Sequence, residues 1–420
     1  MLLNAAVPLN DSSESEMKML LLKGILINSG KTWLSRNMNG YNCELISIAK
    51  CLTPSASESQ HFISSPEYTS RFAVGCYEPL GGNFITCIET QFLSPQTMYT
   101  VNLVFKRKNS KDQYIGLEYK LVEEEHSSYL FVSDERDDGW LTLELYQFSS
   151  HQQKIKLEIV FYSKYCPDLL VESIEFRPLE KVEDEVLRVE DVDMKPESDT
   201  EENWKQKLPI DYEEIVRWHS VQWRTMKELY YILCEGFLIN DGKEWFSIAK
   251  DGKKCLMLPA KAILKEKEWE WKLKPETRFG QVADCVSKRF GITCKISAKM
   301  LSPQTKYTSY LVYSGQPHEK NDINPPLQVV NIYSEEKCNI FLSAPKTPVI
   351  NWNEEEKTFN PSSRTKIKGL PKLRSDGWME VQVHDFQTPE SDYSIYLRFS
   401  SYDMKSLKGI TVLGLEFRPI

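Results

Sequence analysis

"LSPQTMYTVNLVF" (93–105) and "LSPQTKYTSYLVY" (301–313) agree at nine of thirteen positions, 208 residues apart. If a whole domain is duplicated, other landmarks must recur in the same order, and they do. "GILINSGKTWL" (24–34) returns as "GFLINDGKEWF" (236–246), an offset of 212. Arg71-Phe72 and Ile85–Cys87 return at Arg278-Phe279 and Ile292–Cys294, offset by 207. "DDGWLTLEL" (137–145) matches "SDGWMEVQV" (375–383) at 238, and "EFRP" (175–178) matches 416–419 at 241. Ordered landmarks whose offsets jump only between them describe two homologous domains with loop insertions, not a short-period solenoid. The largest jump comes from "SAPKTPVINWNEEEKTFNPSSRTKIKGLPKLRSDG" (343–377), whose Pro, Ser and Lys content reads as an enlarged loop.

Between the copies, residues 180–203 hold eleven carboxylates against three basic residues, a net of −8 that equals the charge of the whole chain. The two domains are therefore near neutral, and the acidity belongs to a solvated linker. The organisation expected is a tail (1–16), a diverged copy (17–179), an acidic linker (180–205) and a better-preserved copy (206–420). Proteolysis is expected to nick the linker first.

That charge argues against a nucleic-acid partner, which would demand a basic surface. "MLLNAAVPLN" lacks a basic leader region, and "MKMLLLKGILI" is too short and too charged to span a bilayer, so no membrane span is expected. The ten cysteines form no C-x-x-C pair and no histidines stand at metal-ligand spacing, so they read as small buried thiols of a cytoplasmic or nuclear protein. No cofactor or metal is expected.

Period-two alternation marks strands with one buried face and one wet face. Tyr99, Val101, Leu103 and Phe105 oppose Thr100 and Asn102, and Leu141, Leu143 and Leu145 oppose Thr142 and Glu144. The same pattern runs through Ile155–Phe161, Met379–Val383 and Ile395–Phe399. Phe279, Val282, Ala283, Val286 and Phe290 fall at helical spacing and predict a helix over 277–290, and "TMKELYYIL" before Gly236 predicts a second. The fold class expected is mainly β: two tandem antiparallel β-sandwiches, each with one or two short helices.

These landmarks carry a resemblance. Gly236–Ala262, Trp269–Lys272, Pro275–Ala283, Leu301–Val312, Arg374–Glu380 and Gly414–Pro419 resemble the phloem protein 2 (Nictaba-type) lectin domain of plants. Residues 17–179 are similar but more worn. The resemblance implies a jelly-roll sandwich, a nucleocytoplasmic setting and non-covalent binding of glycans or glycoproteins carrying N-acetylglucosamine. Some relatives join this domain to an F-box or a kinase. Neither is expected here, since few residues precede the first copy and V-A-I-K, H-R-D and D-F-G are missing.

In the resemblance, tryptophans fill the segment that is "KEKEWEWKLK" (265–274) here. A sugar presents an apolar face rimmed by hydroxyls, so Trp269 and Trp271 are candidate platforms, with Glu268 and Glu270 as candidate acceptors. The alternative is a core strand, with Trp269, Trp271 and Leu273 on one face and Glu268, Glu270 and Lys272 on the other. The first copy has no Trp in "TPSASESQHFISSPEYTS" (53–70), only His61, Phe62 and Tyr68, so binding is expected chiefly from the second copy. Asp138/Trp140 and Asp376/Trp378 read as a turn Asp followed by a core Trp, and His384 as structural. No nucleophile–base constellation is evident, so the chain is not expected to be an enzyme. The competing reading is an adaptor of the same fold that has lost sugar binding and docks other proteins.

Overall fold

A computed structural model describes residues 14–53, 61–80, 82–108, 114–151, 154–163, 166, 168–179, 200–217, 222–264, 269–286, 291–315, 326–331, 335, 337–351, 358–361, 369–390, 394–401 and 407–420. The chain is mostly strand. It divides into two compact units, residues 1–184 with 345–367, and residues 185–344 with 368–420. No helix among the described residues is long and apolar enough to cross a membrane.

In the first unit the longer sheet runs Ile25–Ile27, Thr32–Arg36, Asn42–Ser47, Leu169–Pro178, Thr97–Arg107, Leu141–Ser150. A second sheet runs Ser128–Val132, Tyr114–Leu121, Lys156–Tyr162, Asn83–Glu89, Leu52–Thr53. Apolar side chains of both sheets, among them Val101, Leu103, Leu143 and Ile174 from one and Ile88, Leu117, Ile159 and Phe161 from the other, form one core. The alternation read from the sequence is thus realised as a sandwich. The face of Thr97–Arg107 expected to be wet is not: Thr100 and Asn102 are buried.

The second unit repeats the plan. Its longer sheet runs Phe237–Ile239, Glu244–Ile248, Lys254–Pro259, Ile410–Pro419, Lys306–Gly315, Met379–Gln387, Lys372–Leu373. Facing it are Gly291–Ser297, Ser394–Ser401, Leu327–Asn331 and Lys337–Ile340. Of three helices, Tyr212–Arg217 and Met226–Glu235 bury Tyr212, Ile215, Leu229 and Leu233 in the same core, and Glu201–Gln206 packs half-buried Trp204 against it. The last is the helix expected from "TMKELYYIL". Thr225 Oγ1 accepts from Glu228 N (3.1 Å), Glu228 accepts in return from Arg224 N (2.7 Å), and Gly236 ends the helix at φ +79°.

The motif that first betrays the repeat has one structural job in both units. Tyr99 Oη donates to Asn42 O (2.8 Å) and accepts from Ser94 N (2.9 Å). Tyr307 Oη donates to Lys254 O (2.7 Å) and accepts from Ser302 N (2.9 Å). Each buried tyrosine thereby ties its own Leu-Ser turn to the strand two places away in its sheet. The repeated glycine-to-tryptophan spacing is also steric. A Cβ on Gly24 would stand 2.2 Å from Trp33 Nε1, and one on Gly236 2.5 Å from Trp245 Nε1.

Two further expectations fail. Residues 277–290 are not a helix: Gln281–Cys285 is a strand, with residues 287–290 outside the described residues. Strand pairing with Trp269–Leu273 wins over helical spacing, burying Val282 on one side and Ala283 and Cys285 on the other. The insertion of the second repeat is not merely a loop either. Lys346–Ile350 and Thr358–Pro361 pair with each other and extend the first unit's longer sheet, where Gln147 and Phe148 stand opposite Val349 and Ile350 in parallel register. Strands of both repeats therefore share one sheet.

Candidate functional site

The W-x-W segment is one arm of a hairpin. Trp269–Leu273 pairs antiparallel with Gln281–Cys285, which attaches through Ala283 and Asp284 to Val412 and Thr411 of Ile410–Pro419. Gly280 closes the turn at φ +65°, donating to Thr277 O (3.1 Å), while Lys274 N donates to Gly280 O (2.9 Å).

The two tryptophans lie at different depths. Trp269 is 5% exposed and belongs to the main core of the unit. Its indole Nε1 has no hydrogen-bond partner among the described residues. Trp271 is half-buried, packed on that core from its margin. Leu273, two residues on, is 84% exposed, so the strand leaves the core along its length.

Glu270 is exposed and points to the opposite side of the strand, with Lys272. There Lys272 Nζ pairs with Asp284, which also accepts from Thr411 Oγ1 (2.6 Å). Partial burial pushes the Asp284 carboxyl up, but the hydrogen bonds from Lys272 and Thr411 outweigh it and hold it below its ordinary value. The strand thus does not bring Glu270 to the face of either tryptophan. Glu268 lies outside the described residues.

The first unit carries a shorter version of this hairpin. Phe62–Ile63 pairs with Cys76–Tyr77, and Tyr77 stands opposite Val171 as Ala283 stands opposite Val412. Phe62 is opposite Tyr77, so it takes the place of Trp271 and is likewise half-buried. Sequence comparison misses this because the two hairpins differ in length. His61 Nδ1 is 3.1 Å from Glu78, and Tyr68 packs against the small apolar cluster that includes buried Trp140.

The remaining landmarks converge on a charged network that the sequence reading missed. In the second unit Arg374 reaches Asp376 (3.2 Å), Glu380 (3.1 Å) and Glu416, while Arg278 approaches Glu416 (3.5 Å) and Arg418 reaches Glu380 (2.7 Å). In the first unit Arg136 reaches Asp138 (3.4 Å) and Glu175 (2.9 Å), Arg71 pairs with Asp138, and Arg177 with Glu175 (3.0 Å). The cations also cap rings. Arg71 and Arg278 stand 5.8 and 5.1 Å over Trp33 and Trp245, and Lys106 and Lys274 stand 4.6 and 4.9 Å over Trp140 and Trp378. The Asp-Gly turn and buried Trp of each "DGW" are as expected, with Trp140 N and Trp378 N donating to Asp138 and Asp376 (3.2 Å each). The overlooked signal was that the charged landmarks (Arg71/278, Arg136/374, Asp138/376, Glu175/416) repeat as a set. Their charges are spent on one another, and the capped indoles present no free platform.

One carboxylate of this region is particular to the first unit. Glu172 is fully buried and accepts from Ser70 Oγ (3.0 Å) and Arg71 N (2.8 Å), with Arg71 Nη1 4.0 Å away. The aligned residue of the second unit is Leu413, buried in an apolar cluster. Desolvation holds the Glu172 carboxyl above its ordinary range despite those hydrogen bonds and the positive charges of Arg71 and Arg136. Ionisation is therefore easier in the unfolded chain. Stability is highest where the carboxyl is protonated in both states, and it declines as pH rises from the ordinary carboxylate range through the raised native value. Glu172→Gln keeps the acceptor and removes the charge. Its melting temperature should match wild type at pH 4 and exceed it at pH 8; a lower value at pH 8 contradicts a net desolvation cost.

Four buried thiols are poor nucleophiles. Burial pushes Cys51, Cys76, Cys255 and Cys294 up to about 12. Among the described residues no group of three or more His, Cys, Asp or Glu is placed to hold a metal ion.

A phloem protein 2 family model matches residues 84–178 and 253–419. Relatives from Arabidopsis thaliana include an F-box protein 31% identical over 230 residues, spanning 51% of this chain and 68% of the relative. The F-box protein PP2-B5 is 30% identical over 233 residues (51% and 72%), and the F-box protein PP2-B10 is 30% identical over 232 residues (51% and 79%).

Proposed function

This chain belongs to the phloem protein 2 family, and from that membership we propose that it is a tandem lectin-like protein that binds N-acetylglucosamine-containing glycans without catalysis. The observation that carries this reading is Trp271, a half-buried indole on a marginal hairpin at the W-x-W position of the resemblance. Trp269 supports the hairpin from within the core rather than stacking on a sugar. Phe62, at the matching place in the first unit, is a smaller platform and a weaker one. The setting proposed is the cytoplasm or nucleus, with glycoproteins as partners.

Stacking on one aromatic ring contributes about 0.5–1.5 kcal/mol beyond its buried area, judged from aromatic pairs. Ordering costs oppose that gain, so affinity per unit should be weak, millimolar to high micromolar, on the order expected for a single anchor. Titration of the full chain with N-acetylglucosamine oligomers should show saturable binding that Trp271→Ala reduces and Phe62→Ala barely changes. Equal loss from both substitutions would spread the activity over both units, and undiminished binding by Trp271→Ala would remove the site.

A second reading is favoured by the relatives, which are named as F-box proteins. In that reading the sandwiches dock a protein, and glycan titration of wild type gives no binding at millimolar ligand.

A further inference from the structure

The Leu141–Ser150 strand is bound unequally on its two sides. Nine register pairs join it to Thr97–Arg107. On its outer side, among the described residues, Asp134–Glu135 pairs with Leu141 and Thr142, and Lys346–Ile350 with Gln147 and Phe148. Asn360 Nδ2 adds a hydrogen bond to Gln147 Oε1 (3.2 Å), and Ile350 packs against the first unit's core.

This occupant buries Thr347, Pro348 and Val349, but its backbone pairing is sparse. Parallel pairing is slightly less stable per residue than antiparallel, and Pro348, beside the first register pair, has no N–H to donate. Thr347 Oγ1 is buried without a hydrogen-bond partner among the described residues, which costs free energy in the seated state. The duplicate shows that the sandwich does not require such a strand. In the second unit Lys372–Leu373 covers Met379 and Glu380, as Asp134–Glu135 covers Leu141 and Thr142. No strand among the described residues pairs with the outer side of Asp385 and Phe386, the counterparts of Gln147 and Phe148.

We propose that the outer edge at Gln147–Phe148 is a β-augmentation site, which the protein fills with its own Lys346–Ile350 strand and which accepts an extended peptide of the same pattern. That pattern is a small polar residue, then proline, then two branched apolar residues, running parallel to Leu141–Ser150. An open edge is a template for pairing, and main-chain hydrogen bonds supply affinity while alternate side chains supply selectivity. Thr347, Pro348 and Val349 are buried when seated and Ile350 is half-buried, so the whole short pattern is what the edge selects. The tethered strand acts at high effective concentration, so an outside peptide succeeds mainly when the insertion is displaced.

The test uses the full chain with residues 345–367 replaced by a Gly-Ser linker, and a second full chain carrying Val349→Asp and Ile350→Asp. The probe is a fluorescent synthetic peptide of residues 344–361. Both variants should melt cooperatively and bind the peptide, while wild type binds roughly tenfold more weakly or less, since its edge is filled. Hydrogen exchange at Gln147–Ser149 should speed up in the variants and slow again on adding peptide. A peptide carrying the same two Asp substitutions should not bind. The proposal is overturned if neither variant binds, if wild type binds equally, or if both variants lose their fold, which would make the hairpin an obligatory strand.

Discussion

Trp269→Ala lowers the stability of the second unit by about 3–5 kcal/mol, the usual cost of truncating a core Trp. The ring is 5% exposed and lies in the apolar cluster that joins both sheets to the helices. It sits opposite Cys285 at the deep end of the hairpin, so its loss leaves a cavity that only the hairpin itself could collapse into. Trp271→Ala removes a ring that already keeps part of its surface in water, and its cost should be about 1–2 kcal/mol on the area scale. Denaturant melts of the two variants, read beside glycan titrations, separate the roles. Trp269→Ala should unfold early and keep part of its binding while folded; Trp271→Ala should stay folded and bind poorly. Matching stability losses would mean that both rings are core, and the docking reading would then take precedence over the glycan one.

How far this could be read in advance depended on where the information lies. Local alternation placed Tyr99, Val101, Leu103 and Phe105 on a buried face, and all four are fully buried. The helix before Gly236 was legible because its capping residues sit within one turn of it. The spacing of Phe279, Val282, Ala283 and Val286 misled because a hairpin with Trp269–Leu273 buries residues on both sides of Gln281–Cys285, and that pairing is not a local property. Lys346–Ile350 looked like loop for a similar reason. Proline and polar neighbours hide a strand whose partner lies two hundred residues upstream. At the candidate site, "WEW" revealed the segment but not the depth of each ring, since burial is set by how the hairpin crosses the sheet. The charged network was overlooked because each Arg or Glu taken singly reads as a solvated residue. Only the fold shows that Arg374, Glu380 and Glu416 are 11%, 12% and 9% exposed and share one face.

That low exposure gives Arg374→Ala the other large effect, a loss of about 3 kcal/mol, the lower end of the range for removing one partner of a buried pair. Arg374 touches three carboxylates, and without it Glu416 and Glu380 keep, among the described residues, Arg278 at 3.5 Å and Arg418 at 2.7 Å. Those two cations are more exposed and temper the loss, which is why the lower end is expected. Arg374→Met tests whether the charge or the aliphatic stem matters, because Met restores most of the packing but none of the pairing. It should be nearly as damaging as Ala. Adding Glu416→Gln to Arg374→Met should recover part of the stability, since the uncompensated charge then disappears from the buried site. High salt should change these differences little, screening being weak for partly buried charges. Folded Arg374→Ala should retain its glycan affinity if the network only holds the sheet together. A parallel fall in affinity and stability at this position would instead assign the repeated arginines to the binding surface, and a loss below about 1 kcal/mol would reduce them to ordinary exposed pairs.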